Sequence, residues 1–241
     1  MSEPQEATRR DFIRTAAVVG GGLLLASCSG AGGSLQPSPS AAKPGAGEDI
    51  SPPEDLMREH GVLRRVLLVY GEALRRHDAG EPIPAAPLAD AAAIVRTFIE
   101  DYHEKLEEDY LFPRFRKAGR LVDLVDVLLA QHVAGRRLTE VIAGVANPQA
   151  LKDPAGNRVL VSALRPFIRM YSAHAAREDT DLFPAFRDVV SPAEFDELGD
   201  QFEDKENELF GDKGFEKTVA RVAEIERALD IHDLKRFTPM A

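Results

Sequence analysis

Residues 103–113, His103-Glu104-Lys105-Leu106-Glu107-Glu108-Asp109-Tyr110-Leu111-Phe112-Pro113, decide how this chain is read, because residues 174–184 carry the same pattern again. There the chain runs His174-Ala175-Ala176-Arg177-Glu178, followed by Leu182-Phe183-Pro184. Each copy is preceded by a further histidine, His60 for the first and His132 for the second. The offset is 72 residues from His60 to His132, and 71 from His103 to His174, Glu107 to Glu178 and Pro113 to Pro184. Four of the six histidines fall in this scheme. A His-x-x-x-Glu spacing sets an imidazole and a carboxylate on one helix face, about 6 Å apart along the axis.

The surrounding pattern is helical from Pro53 onward, and no stretch alternates long enough for a sheet. The spacing predicts four long helices over about 53–78, 87–117, 120–145 and 157–189, then two more over about 192–209 and 214–230. Gly80-Glu81-Pro82-Ile83-Pro84, Gly119, Asn147-Pro148 and Asp153-Pro154-Ala155-Gly156-Asn157 mark the breaks. Ser191-Pro192-Ala193-Glu194 has the cap, the first-turn proline and the glutamate of a helix start. The fold class is therefore all-α, an up-down-up-down four-helix bundle with additional C-terminal helices. At about 1.5 Å of rise per residue, His60, His103 and His132 reach nearly one height in antiparallel helices, and His174 falls close to it.

Six residues from four helices then converge: His60, His103, Glu107, His132, His174 and Glu178. Burying four imidazoles and two carboxylates without partners costs several kcal/mol, so a metal is the expected partner. With one cysteine in the chain, a thiolate site and a disulfide framework are both excluded. Nitrogen and oxygen donors of this kind suit a pair of iron or manganese ions, and a glutamate is long enough to bridge them. The formal net charge of −10 offers no basic stripe for phosphates, so nucleic acid is not an expected partner.

The N-terminus carries a different message. Thr8-Arg9-Arg10-Asp11-Phe12-Ile13-Arg14 resembles the twin-arginine export consensus, and a short apolar run from Ala16 to Ala26 follows it. That run closes on Leu25-Ala26-Ser27-Cys28, which resembles a bacterial lipobox with Cys28 as the lipidated residue. Residues 1–28 are thus expected to be a signal peptide and 29–53 a flexible Gly/Ala/Ser/Pro tether. The bundle occupies 54–190 and a helical extension 191–241. This organisation places an exported protein in the periplasm, or on the periplasmic face of the cell membrane through a lipid anchor at Cys28.

Over about residues 56–190 the repeated motif resembles the hemerythrin-like family of HHE cation-binding domains. The resemblance implies a four-helix bundle around two non-haem, oxo-bridged iron ions, with manganese or zinc less favoured. Its metal ligands would be His60, His103, Glu107, His132, His174 and Glu178, with Glu107 and Glu178 bridging. Glu104 is an additional candidate ligand, although a sequence neighbour of His103 points about 100° away on a helix. Oxygen-carrying hemerythrins have a fifth histidine one turn after the third-helix histidine, and Arg136 stands there in this chain. The implied function is binding of O2, NO or a related small ligand for buffering, storage or sensing. The alternative is a di-iron redox enzyme that reduces peroxide or oxidises iron, and turnover separates the two.

Other residues receive plainer readings. His77 and His232 are expected to be structural or exposed histidines outside the site, and Glu203-Asp204-Lys205-Glu206 a solvated face. The two Leu-Phe-Pro segments should pack the core below the site, with Pro113 and Pro184 kinking their helices. Tyr102, Tyr110 and Tyr171 flank the ligands.

Overall fold

Prolines and caps set the helix starts in the computed structural model, which describes residues 50–239. Helix α1 (Pro52–Asp78) begins on two prolines, whose missing N–H groups would have no intrahelical partner there anyway. Helix α2 runs over 85–118 and ends at Gly119, whose φ of 64° closes the last turn in the left-handed region. Helix α3 is Val122–Val145. A single short turn, α4 (Pro148–Lys152), is capped by Asn147, whose side chain accepts from the Ala150 N–H. Helix α5 (Pro154–Arg177) is capped by Asp153 and continues as a wider turn over Glu178–Leu182. Thus Asp153-Pro154, expected as a break, is also the start signal of the fourth long helix.

Helices α1, α2, α3 and α5 close a four-membered bundle: α1 packs on α2 and α5, and α3 packs on α2 and α5. No strand occurs among the described residues. The interior is filled by fully buried side chains such as Leu56, Leu63, Val66, Tyr70, Phe98 and Phe167. Tyr70 and Phe167 meet edge-on with ring centroids 5.2 Å apart, joining α1 to α5. The C-terminal helices α6 (Pro192–Phe210) and α7 (Gly214–Ala228) lie against α1 and α2. Ser191 caps α6 by accepting from the Glu194 N–H, as its sequence predicts. Phe202 and Val222 are fully buried on this added layer, and Phe210 meets Tyr102 of α2 edge-on at 5.4 Å.

Three details depart from expectation. The fourth long helix does not run to residue 189. Its regular part stops at Arg177, a wide turn ends at Leu182, and a separate 3-10 turn covers Phe186–Asp188. Pro184 has no N–H to continue the ladder. Pro113 instead lies in the first turn of a renewed helix that continues to Ala118. The stretch Glu203-Asp204-Lys205-Glu206 is not wholly a solvated face either. Glu206 is buried, and its carboxylate accepts the Phe215 N–H at 2.8 Å. The proposed signal peptide, Cys28 and all but the end of the proposed tether lie outside the described residues.

Candidate metal centre

The two helices that carry the His-x-x-x-Glu motifs, α2 and α5, change their winding at the centre, whereas α1 and α3 stay regularly α-helical. In α2 the Phe112 N–H reaches back five residues to the Glu107 carbonyl, making a π turn over Glu107–Leu111. In α5 the Phe183 N–H reaches the Glu178 carbonyl at 2.8 Å, making the matching turn over Glu178–Leu182. The proline that follows each phenylalanine cannot donate, so the next rung of the ladder is missing in both copies. A second π segment, Val95–His103, leads into the first motif. Such wide turns re-aim side chains and concentrate at functional sites.

All six expected residues meet in the middle of the bundle, and each is at most 3% exposed. His132 and His174 face each other through their Nε2 atoms at 3.2 Å. The Glu107 carboxylate lies between the two histidine pairs, with Oε1 3.7 Å from His103 Nε2 and Oε2 3.3 Å from His132 Nε2. The Glu178 carboxylate does the same from the other side, with Oε2 3.0 Å from His174 Nε2 and 3.3 Å from His60 Nε2. Two ligand groups result, Glu107-His132-His174-Glu178 and His60-His103-Glu107, sharing Glu107.

The outer nitrogens are all occupied. His60 Nδ1 donates to Asp179 at 2.7 Å, and His103 Nδ1 to Glu59 at 2.8 Å. His132 Nδ1 donates to Glu108 at 3.1 Å, and His174 Nδ1 to Gln131 at 2.9 Å. In the neutral ring, acceptors on Nδ1 fix the tautomer that leaves Nε2 as a lone-pair donor toward the centre, the arrangement typical of metal-ligating histidines. Two phenylalanines complete the wall. Phe183 stacks on His60 at 5.4 Å and Phe112 on His132 at 5.5 Å, so the Leu-Phe-Pro segments border the imidazoles directly.

Electrostatics inside this box are strained. Burial, reinforced by the charge of Glu178, drives the Glu107 carboxyl well above the usual carboxylate range. Burial would do the same to Glu178, but His174 and His60 outweigh it and hold that carboxylate far below its usual range. For His60 burial opposes protonation, yet Asp179 and Glu178 prevail and push it up to about 9. Burial pulls His132 down to about 4 and, with the charge of His60, lowers His103 as well. Six inward atoms, His60 Nε2, His103 Nε2 and both oxygens of Glu107 and Glu178, are buried without a hydrogen bond. Unpaired groups of this kind cost several kcal/mol unless something binds them. A cation accepting nitrogen and oxygen donors fits them; another hydrogen-bonding protein layer does not, since the Nδ1 partners already fill that role.

The remaining candidates are not in these two groups, although Glu104 forms a further one with Glu108 and His132. Glu104 turns to a neighbouring network, where the Tyr171 hydroxyl donates to it at 2.7 Å and the Arg136 guanidinium pairs with it at 2.8 Å. Burial raises its carboxyl to about 8, against the Tyr171 hydrogen bond and the Arg136 charge. Arg136 also reaches Glu108 at 2.7 Å, so the side chain in place of a fifth histidine serves the outer carboxylates. Tyr102 and Tyr110 pack against Phe210 and Phe202 respectively.

A scan against protein families matches residues 51–186 to the hemerythrin HHE cation-binding domain. The chain belongs to the hemerythrin HHE cation-binding family. Uncharacterized proteins of Mycobacterium bovis and of two Mycobacterium tuberculosis strains are 42% identical to it over 240 residues. Those alignments cover 98% of this chain and 92% of each relative. No solved structure matches the chain.

The outer partners also follow the repeat and stand next to its ligands in sequence. Glu59 and Gln131 directly precede His60 and His132, while Glu108 and Asp179 directly follow Glu107 and Glu178. Arg64 and Arg136 each stand four residues after the lone histidine, and Arg64 pairs with Asp179 as Arg136 pairs with Glu108.

Proposed function

We propose that this family member is an exported non-haem di-iron protein that binds O2, NO or a related small ligand for buffering, storage or sensing. The observation that carries the reading is the inward set of orphaned donors, in which each glutamate reaches toward both histidine pairs. His60 and His103 would hold one iron, His132 and His174 the other, and Glu107 and Glu178 would span them. A bound iron pair supplies interchange between ferrous and ferric states and a position for a small ligand. The protein's own part is to fix four imidazoles in one tautomer and to line the centre with Phe112 and Phe183. The lack of a thiolate donor favours iron or manganese over a structural zinc site. Export and lipidation at Cys28 rest on the Arg9-Arg10 and Leu25-Ala26-Ser27-Cys28 motifs.

A redox enzyme that reduces peroxide or oxidises ferrous iron is the second reading. It is favoured by Arg136, whose diversion to Glu104 and Glu108 leaves four imidazoles rather than five around the centre. Metal analysis of the purified protein, with absorption spectra before and after air, tests the first reading. Two irons per chain and new near-ultraviolet absorption on oxidation are expected, and one zinc or no metal would refute it. Added peroxide then separates the readings: a binding protein leaves it intact, whereas an enzyme consumes it over many turnovers.

A further inference from the structure

We propose that the two halves of the centre hold metal unequally, with His60 and His103 forming the tight half and His132 and His174 the loose one. The inference rests on the metal-binding reading above and concerns what stands behind the imidazoles. In the first half both Nδ1 groups donate to carboxylates, Asp179 at 2.7 Å and Glu59 at 2.8 Å. In the second, Glu108 accepts from His132 at 3.1 Å, but His174 donates to the neutral amide oxygen of Gln131 at 2.9 Å.

The difference is one of charge at a buried position. A carboxylate accepting an imidazole N–H draws that proton outward and makes the opposite nitrogen a stronger donor; an amide oxygen does so far less. Glu59 is fully buried beside Asp55 and Glu206, so a carboxylate charge held there acts on His103 with little screening by water. The two acids that follow the bridging glutamates do not cancel this inequality, because each is shared with an arginine. Arg64 pairs with Asp179 and Arg136 with Glu108, and Arg136 is the more buried of the two, 26% exposed against 49%. The positive charge closer to the interior therefore stands behind the half that already lacks a second carboxylate. Glu59 and Gln131 act through the histidines and are positioning residues.

Anaerobic titration of the metal-depleted full-length chain with Co²⁺, followed by its visible absorption, tests the inference. The native protein should fill in two separated steps, and His132→Ala should remove the weaker step while leaving the tighter one. Gln131→Glu should strengthen the weaker step by about 10–100-fold, the usual reach of an outer partner on metal affinity. A general loosening of the fold cannot produce a gain of this kind. Glu59→Gln should weaken the tighter step by a similar factor. Two equal steps in the native protein would overturn the proposal, as would a Gln131→Glu titration that superimposes on the native one. A native chain that takes up no Co²⁺ or iron at all overturns the metal-binding reading itself, and the inequality with it.

Discussion

The first half of the bundle, centred on His60 and His103, and the second, centred on His132 and His174, agree wherever a side chain faces the centre and diverge behind it. His60-His103-Glu107 and His132-His174-Glu178 are matched in residue type and burial across the repeat, although Glu178 joins the group around His132 and His174 and Glu107 belongs to both. The stacked phenylalanines and paired arginines match as well. By contrast, Glu59 is answered by Gln131, Glu104 by Ala175, and Glu100 by Tyr171. Tyr171 has room only because Gly135 stands where the first half carries the buried Leu63. The centre tolerates difference where a residue supports a ligand rather than supplying one. Symmetry belongs to the donors and asymmetry to their surroundings.

Removing one donor from each half should have the largest effect. His103→Ala combined with His174→Ala should abolish metal uptake and lower the melting temperature of metal-loaded protein. Chelation of the native protein should reproduce the loss of stability. At free metal about 100 times Kd, binding is worth about 2.7 kcal/mol, or roughly 5–10 °C for a domain of this size. Full metal content in the double variant would show that these residues do not form the site. A melting temperature unmoved by chelation would show that metal and fold are not linked.

Gly135 offers the next largest effect, because it tests the packing that separates the halves. A Cβ there would stand 1.9 Å from the Tyr171 hydroxyl oxygen and 2.6 Å from the carbon bearing it. Gly135→Ala must therefore displace the ring, and the expected loss is about 1–3 kcal/mol despite the better helix propensity of alanine. Tyr171→Phe keeps the ring and removes only the hydrogen bond to Glu104, at an expected loss of about 1 kcal/mol. Urea denaturation of both variants checks the ranking. If Gly135→Ala is as stable as the native protein, the close fit to Tyr171 is not a constraint.

Most of the architecture was legible because it follows from local spacing. Proline, glycine and cap residues located the long helices to within a few residues, except for the end of the fourth, expected at 189 and reached at Arg177 with a wide turn to Leu182. The repeat gathered His60, His103, Glu107, His132, His174 and Glu178. The π turns were not legible, since Glu-x-x-x-Leu-Phe-Pro gives no sign that the Phe N–H will reach five residues back. Glu206 was misread because helix α6 presents an acidic run whose last member faces α1 and not water, a fact set by tertiary packing. The outer partners lay in plain view at the repeat offsets. In sequence alone, acids and arginines beside a motif do not differ from ordinary surface charge; the Nδ1 contacts are what distinguish them.

Arg64 and Arg136 give the smallest expected effects and the cleanest contrast between halves. They occupy matching positions and each holds the acid that supports a lone histidine. Arg64 is about half exposed and engages Asp179 alone among the acids of the centre, so water can replace much of what it contributes. Arg64→Ala should cost no more than about 1 kcal/mol. Arg136 is three-quarters buried and binds both Glu104 and Glu108. Its removal leaves the deeply buried Glu104 with Tyr171 as its main partner, which should cost about 2 kcal/mol, less than a fully enclosed pair would. Denaturant midpoints of the two variants measure the gap directly. Equal losses would mean that the halves differ in composition but not in the burial of their charges, and the asymmetry would then reduce to Glu59 and Gln131.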